Sequence, residues 1–327
     1  MKKLRIVYLG TPEFAATCLE TLLLGRHEIV GVVTAPDRES GRGRKITQSD
    51  VKKLALKRGI PVAQPERLRS SEFLELLKAW NADLGVVVAF RMLPEVVWSM
   101  PPMGTVNLHG SLLPQFRGAA PIQRAIMAGA SESGATTFLL TGAIDMGDML
   151  GRVVVPIGPN ENAGSLHDRI LEGGKHLLAK TVDDLANGIA KAIPQSEVAS
   201  EQKANLQDAH KLFKEDRRIS WLKTAADLHN HIRGLAPYPG SFTTLPHEPK
   251  APVKILESRM VNDSSLELVA GEILIQEERL YVGCGDPVKD EGNETLEILQ
   301  IQPPGKGVME TGAYLRGLRE DIDRFDV

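Results

Sequence analysis

Cysteine is almost missing from this chain: 327 residues carry two, Cys18 and Cys284. Two cysteines so far apart make neither a metal-ligand spacing nor a disulfide framework, and they fit a reducing, cytoplasmic compartment. Excess charge is missing as well. The 39 Lys and Arg nearly balance 42 Asp and Glu, a formal net charge of −3. Composition therefore shows no broad basic footprint of the sort a nucleic-acid binder carries. No run of about 18 apolar residues occurs, which excludes a membrane-spanning helix. The opening MKKLRIVYLG places Lys2 and Lys3 before an apolar run, but the run is short and no small-residue cleavage site follows. It reads as a first strand and not as a secretion signal. There is no internal repeat and no low-complexity block.

What is present is ordinary globular material, 42% hydrophobic and 25% charged, long enough for two domains. The first third alternates short apolar runs with helical segments. LRIVYLG ends at Gly10. The next helix has Thr11 as a candidate N-cap, Pro12 at the first helical position, Glu13 at the positive helix end, and Gly25 as its stop. HEIVGVVTAPD, the run Leu84 to Phe90 and GTVNLHGSLLP follow as strands separated by helices. Nearly continuous apolar strands of this kind indicate a doubly wound, mostly parallel sheet covered on both faces. After a helix within residues 165–188 the text turns polar and loses its period. Beyond it, APVKILESRMV, GEILIQ, RLYVGCG and TLEILQIQ read as short strands of a small all-β barrel. The division expected is therefore 1–190 as an α/β domain, 191–206 as a linker and 207–327 as a β domain.

Ligands of a parallel sheet lie beyond the carboxyl ends of its strands. NLHGSLLPQFRGAAPIQ, residues 107–123, begins at one such end. Asn107 and His109, two apart, share one side of their strand. The loop that follows is stiffened by Pro114 and Pro121 and opened by Gly110 and Gly118, so it can hold a flat ligand against backbone groups. In GAIDMGDML, residues 142–150, Asp145 and Asp148 sit in a Gly-containing turn. Asp and Gly there can simply supply turn angles. Alternatively, a carboxylate beside His109 would steady its protonated ring. The histidine would then take a proton while Asn107 donates to a developing oxyanion. The segment DRESGRGRKITQS, residues 37–49, carries Arg38, Arg42, Arg44 and Lys45 on a glycine-containing loop. It is a solvated polar loop or a phosphate-contacting one. From Gln207 onward 15 Lys and Arg face 21 Asp and Glu, yet Lys211, Lys214, Arg217 and Arg218 cluster, with Arg233 nearby.

The run from Asn107 to Pro114, the following Arg117-Gly118-Ala119-Ala120-Pro121 and then Asp145-Met146-Gly147-Asp148 closely resemble the formyltetrahydrofolate-dependent formyltransferases. GTPEFA, VVTAPDRESGRGRK and IRGLAPYPG narrow the resemblance to the branch that acts on aminoacyl-tRNA, over nearly the whole chain. The resemblance implies a formyltransferase α/β domain followed by an OB-like β-barrel that contacts tRNA. It implies Asn107, His109 and Asp145 as the catalytic trio, and Ser111, Leu112, Leu113 and Pro114 as the folate-contacting segment. It implies Arg38, Arg42, Arg44 and Lys45 as a loop reaching the tRNA acceptor end. The co-substrate implied is 10-formyltetrahydrofolate, with no metal. The acceptor implied is the α-amine of methionyl-initiator tRNA. No membrane partner and no obligate oligomer are implied, so a monomer is expected. Phe90-Arg91-Met92-Leu93 departs from the family's aromatic–glycine pattern before its Leu-Pro.

Other readings keep the same trio: formylation of glycinamide ribonucleotide or of a sugar amine, or hydrolysis of the folate. A non-catalytic tRNA- or nucleotide-binding protein is the rival of another class. GTPEFA has one glycine where a dinucleotide fingerprint needs three, so a Rossmann cofactor site is poorly supported.

Overall fold

The structure is a computed structural model that describes residues 2–40, 45–202, 206–261, 266–285, 294–318 and 322–327. The chain begins β1 (Arg5–Gly10), α1 (Glu13–Leu23), β2 (Glu28–Val33), β3 (Arg38–Ser40), β4 (Lys45–Thr47), α2 (Asp50–Lys57), β5 (Val62–Ala63), α3 (Ser71–Ala79), β6 (Leu84–Val88), α4 (Glu95–Trp98) and β7 (Thr105–His109). It continues with β8 (Arg117–Gly118), α5 (Pro121–Met127), β9 (Glu132–Leu139), β10 (Met149–Pro156), α6 (Ala163–Ala186), α7 (Gln195–Gln202) and β11 (Asp208–Ala209). The remaining elements are α8 (Ala225–Leu235), β12 (Ser241–Leu245), β13 (Glu248–Val261), β14 (Ile273–Gln276), β15 (Arg279–Cys284), β16 (Glu294–Gln302), β17 (Met309–Glu310) and α9 (Thr311–Arg316).

Two compact units result. The first comprises residues 1–118, 133–155 and 168–208, and the second residues 119–132, 156–167 and 209–327. The first holds a sheet in the order β10-β9-β7-β6-β1-β2-β5. From β7 to β5 the neighbours are parallel, and β9 joins β7 antiparallel. Every residue of β6 is buried, as a strand covered on both faces requires. On one face Val7, Leu9, Val33 and Val87 pack with Phe73, Leu77 and Trp80 of the α3 region. α6 backs β7 and β10: a Cβ at Gly174 would lie 3.3 Å from Leu108 of β7, and one at Gly173 3.1 Å from Val153 of β10. Two glycines inside a helix cost about 1 kcal/mol each against alanine, and here the helix needs them to approach the sheet.

α1 starts one residue later than expected. Pro12, extended at φ −78° and ψ 177°, occupies the cap position, and no side chain caps the helix. Proline has no N–H to satisfy, and its carbonyl accepts from Ala16 at 3.1 Å, so Thr11 is not needed as a cap. The polar stretch drawn as a linker at 191–206 carries structure of its own. Ile193 exchanges two 2.8 Å backbone hydrogen bonds with Met149. α7 follows, and its Val198 is buried with Leu113, Phe138 and Met149. One buried apolar residue gives no period to read, and strand bridges leave no local sequence mark.

The second unit takes in 119–132 and 156–167, which the sequence division had put with the first domain. Its sheet runs β12-β13-β16-β15-β14, with β17 on β16, and its strand pairs are antiparallel. Trp221 and Phe325, both fully buried, stack at 5.6 Å in a core with Leu228, Ile255, Leu280 and Ile298. α8 is capped by Thr224, whose hydroxyl accepts from the Asp227 N–H at 3.1 Å. Among the described residues no helix is long and apolar enough to cross a membrane.

Candidate active site

β7 delivers Asn107 and His109 to the end of the parallel run, and β9 fixes them from the side: Asn107 pairs with Phe138 and His109 with Thr136. The His109 ring is buried, and its Nε2 lies 2.9 Å from the carbonyl of Phe116. A carbonyl can only accept, so Nε2 carries the proton and Nδ1 is left to take one. Asp145 Oδ2 stands 3.8 Å from that Nδ1. The same oxygen accepts the Gly118 N–H at 3.0 Å, which holds the carboxylate where it faces the ring. The Asn107 carboxamide is half-buried and makes no hydrogen bond among the described residues, so its N–H groups are available.

The backbone around this ring is unusual. Ala89 after β6, Phe116 after β7 and Asp145 after β9 have φ of 46°, 57° and 52°. Left-handed conformations at residues other than glycine gather at sites whose geometry is imposed by their surroundings. Gly147 makes the Asp145 turn possible, since a Cβ there would fall 1.6 Å from the Leu139 carbonyl oxygen. Gln195 sits beneath the turn, 4% exposed. Its Nε2 donates to the carbonyls of Asp145 and Gly147, both at 2.8 Å. Its Oε1 accepts from Arg117 Nη2 at 2.6 Å and Nε at 3.1 Å. Asp148 is exposed, and of the two aspartates Asp145 is the one brought to the histidine.

An imidazole with one nitrogen tied to a carbonyl, the other facing a carboxylate, and a free carboxamide two residues away can accept a proton and stabilise negative charge on oxygen. Comparisons with known proteins identify the family. Residues 4–182 match the formyl transferase family, and residues 211–319 match the formyl transferase C-terminal domain. The chain belongs to the formyl transferase family. It is 43% identical over 321 residues to a methionyl-tRNA formyltransferase of Bacteroides fragilis, covering 97% of this chain and 96% of that one. It is 48% identical over 248 residues to one of Parabacteroides distasonis, covering 75% and 76%. Among solved structures, the sugar 3N-formyltransferase WlaRD, crystallised with dTDP and 5-N-formyl-THF, aligns with a TM-score of 0.65 at 18% identity. That alignment covers 94% of this chain and 100% of the other and shows a shared fold.

Within this formyl transferase the segment Ser111–Pro114 is held from below. The Thr136 hydroxyl donates to the Ser111 carbonyl at 2.7 Å and accepts the Leu113 N–H at 3.1 Å. The Ser111 hydroxyl donates to the Gln115 carbonyl at 2.6 Å, and Leu113 is fully buried. Ser111 and Leu113 thus turn their side chains inward; Leu112 is half-buried and Pro114 buried. Arg91, at the departure from the family pattern, donates to the carbonyls of Pro65 and Glu66 and lies over the Phe90 ring at 5.8 Å. It fastens its own loop to the one before α3.

The basic loop opens as a hairpin, with Arg38 opposite Thr47 and Ser40 opposite Lys45. Arg38 is exposed, the backbone of Lys45 lies in β4, and Arg42 and Arg44 fall outside the described residues. The hairpin base is anchored at Asp37, which accepts from Lys52 Nζ at 2.6 Å and Gln64 Nε2 at 2.7 Å. Those hydrogen bonds, Lys52 first, hold the Asp37 carboxyl below the usual carboxylate range. In the second unit the basic cluster is partly spent on structure. Arg217 donates to the carbonyls of Pro239 and Gly240, and Arg218 pairs with Asp326 at 2.9 Å. Arg233 is buried and donates to the carbonyls of Gly158 and Glu161. Lys211 and Lys214 remain exposed.

Proposed function

We propose that this chain transfers the formyl group of 10-formyltetrahydrofolate to the α-amino group of methionyl-initiator tRNA, with Asn107, His109 and Asp145 as its catalytic residues. The observation that carries the catalytic assignment is the His109 ring, pinned through Nε2 and facing Asp145 across 3.8 Å with Nδ1. The acceptor is read from relatives of 43% identity along nearly the full length, which bear the name of the tRNA enzyme. The residues around the trio suit a flat pterin: stiff backbone at 111–114 and the exposed apolar side chains of Ile144 and Met146 flanking Asp145. When bound, the folate supplies an activated formyl group.

The chain's own part follows from charge. The attacking amine must be neutral and becomes positive as its bond to carbon forms, so a base has to stand beside it. Nδ1 of His109 takes that proton, and the Asp145 carboxylate steadies the resulting cation. Asn107 donates to the oxygen that becomes negative. His109 then returns the proton to the departing nitrogen. The first unit carries this chemistry, and residues 207–327, with Arg38, Arg42, Arg44 and Lys45, engage the tRNA. The two buried thiols, Cys18 and Cys284, suit a reducing cytoplasm, where the chain acts as a monomer.

Labelled 10-formyltetrahydrofolate offered with methionyl-initiator tRNA, glycinamide ribonucleotide, a sugar amine or water alone tests the reading. Label on the methionyl amine is expected. Label delivered to one of the other acceptors and not to the tRNA would overturn it.

A further inference from the structure

We propose that Gln195 is a positioning residue for formyl transfer: its single side-chain amide sets where the Asp145 carboxylate stands relative to His109. The inference rests on the catalytic reading of Asp145 above. Four hydrogen bonds define the orientation of the amide, two donated by Nε2 to the Asp145 and Gly147 carbonyls and two accepted by Oε1 from Arg117. A flipped amide would set its oxygen against two carbonyls and its N–H groups against a guanidinium, so only one orientation is compatible with the partners.

The consequence lies in what those partners hold. The two carbonyls bracket Met146, and the first belongs to Asp145 itself, a non-glycine residue at φ 52°. On the other arm, Arg117 directly precedes Gly118, whose N–H binds the Asp145 carboxylate at 3.0 Å. One buried amide therefore fixes both the backbone that carries the carboxylate and the strand that supplies its N–H partner. The residues leading into the turn, Thr141 to Ile144, are exposed and bring little packing of their own. A polar clamp is what remains to hold the turn, and a misplacement of about 1 Å at a reacting group can cost about 100-fold in rate. Gln195 reaches the turn from the start of α7, roughly fifty residues along the chain.

Gln195→Glu keeps the size and the acceptor for Arg117 but replaces the donor facing the two carbonyls with an oxygen. Gln195→Met removes both ends at similar length. In each, kcat for formyl transfer is expected to fall about 10- to 100-fold. KM for methionyl-tRNA and calorimetric binding of 5-formyltetrahydrofolate should stay within about twofold. The deciding measurement is a double variant. If Gln195 acts through Asp145, then Asp145→Asn with Gln195→Glu is no slower than Asp145→Asn alone, because the carboxylate it positions is already gone. Three results overturn the proposal: kcat near the parent value in a folded Gln195 variant, additive losses in the double variant, or equal losses of kcat and folate binding. Should neither Gln195 variant fold, Arg117→Met frees the Oε1 arm. A several-fold fall in kcat that vanishes in the Asp145→Asn background supports the proposal, and an unchanged kcat overturns it. A fully active Asp145→Asn would instead sink the catalytic reading, and this inference with it, whatever the Gln195 variants do.

Discussion

Two buried histidines, His109 in the first unit and His229 in the second, are used in opposite ways. In the first, His109 has one ring nitrogen committed to a carbonyl and the other facing a carboxylate, beside an unengaged carboxamide. In the second, both nitrogens of His229 are taken by the protein, Nε2 by the Pro159 carbonyl at 3.1 Å and Nδ1 by the Ser258 hydroxyl at 3.2 Å. Arginines follow suit: Arg217 and Arg233 donate to backbone carbonyls and fasten loops. A buried polar side chain whose every group is matched stabilises a fold. His109, with one nitrogen left open to a carboxylate at the end of the parallel strands, is available for chemistry.

The sharpest way to break that contrast is to remove each histidine. His109→Ala should lower kcat about 10²- to 10⁴-fold while tRNA affinity changes little. Asn107→Ala should cost about 3–4 kcal/mol in transition-state stabilisation. His229→Ala should leave kcat within about twofold but lower the melting temperature, since it orphans a buried carbonyl at about 1–3 kcal/mol. Steady-state kinetics and thermal melts on the same preparations decide it, and a normal turnover number for His109→Ala would remove the catalytic half of the contrast.

The core of the second unit should show what matched, buried packing contributes. Trp221 is fully buried, stacks on Phe325 and donates to the Thr243 hydroxyl at 3.2 Å. Trp221→Ala should cost about 3–5 kcal/mol in denaturant unfolding, the range for large core deletions. Comparable loss from an exposed residue such as Tyr238 would contradict this picture of the core. His231 gives a smaller, pH-dependent effect. It is buried, and its Nε2 has no hydrogen-bond partner among the described residues. Burial first, then the charge of Lys223, pushes it down to about 4, with Arg124 acting the same way and the Arg217 backbone and Asp216 acting against it. An unfolded histidine takes a proton near pH 6.5, whereas the folded one resists until about 4. Between those values the unfolded chain binds more protons, so stability is full above about 6.5 and falls as pH drops toward 4. The loss across the window is about 3 kcal/mol at most. Melting from pH 7 to 4 should show it, and His231→Gln should flatten the slope.

How much of this could be read in the letters depends on what kind of interaction was involved. The strands β1, β2, β6 and β7 announced themselves because a sheet covered on both faces needs unbroken apolar runs, whereas β3 and β4 read only as a polar loop. Asn107 and His109 were visible as a pair because strand side chains repeat every two residues. That Asp145 and not Asp148 meets the ring came from the family resemblance and not from spacing, since a turn with φ of 52° aims its side chain in a way spacing does not encode. Gln195 was invisible: its partners are the carbonyls of Asp145 and Gly147 and the distant Arg117, and a carbonyl has no residue identity. The same blindness hid Arg217 and Arg233, which read as members of a basic cluster. It also hid the assignment of 119–132 and 156–167 to the second unit, where Gly234 of α8 closes on Met127 of α5.

That lesson bears on where tRNA is held. If charge clusters in the second unit are largely spent on carbonyls and on Asp326, the cationic groups free to meet phosphate are those that stay exposed, Lys211 and Lys214 there and Arg38 on the hairpin of the first unit. Each phosphate contact releases counterions, so removing one reduces the salt slope of binding by about one. Arg38→Ala should therefore raise KM for methionyl-tRNA a few-fold at low salt, less at high salt, and leave folate binding untouched. Arg42→Ala with Arg44→Ala should act in the same direction, if the loop works as one arm. Arg218→Ala should instead lower stability slightly without changing the salt slope, because its partner is Asp326. A salt slope that moves with Arg218 and not with Arg38 would reverse the placement, putting the phosphate contact on the acidic second unit and leaving the hairpin as solvated surface.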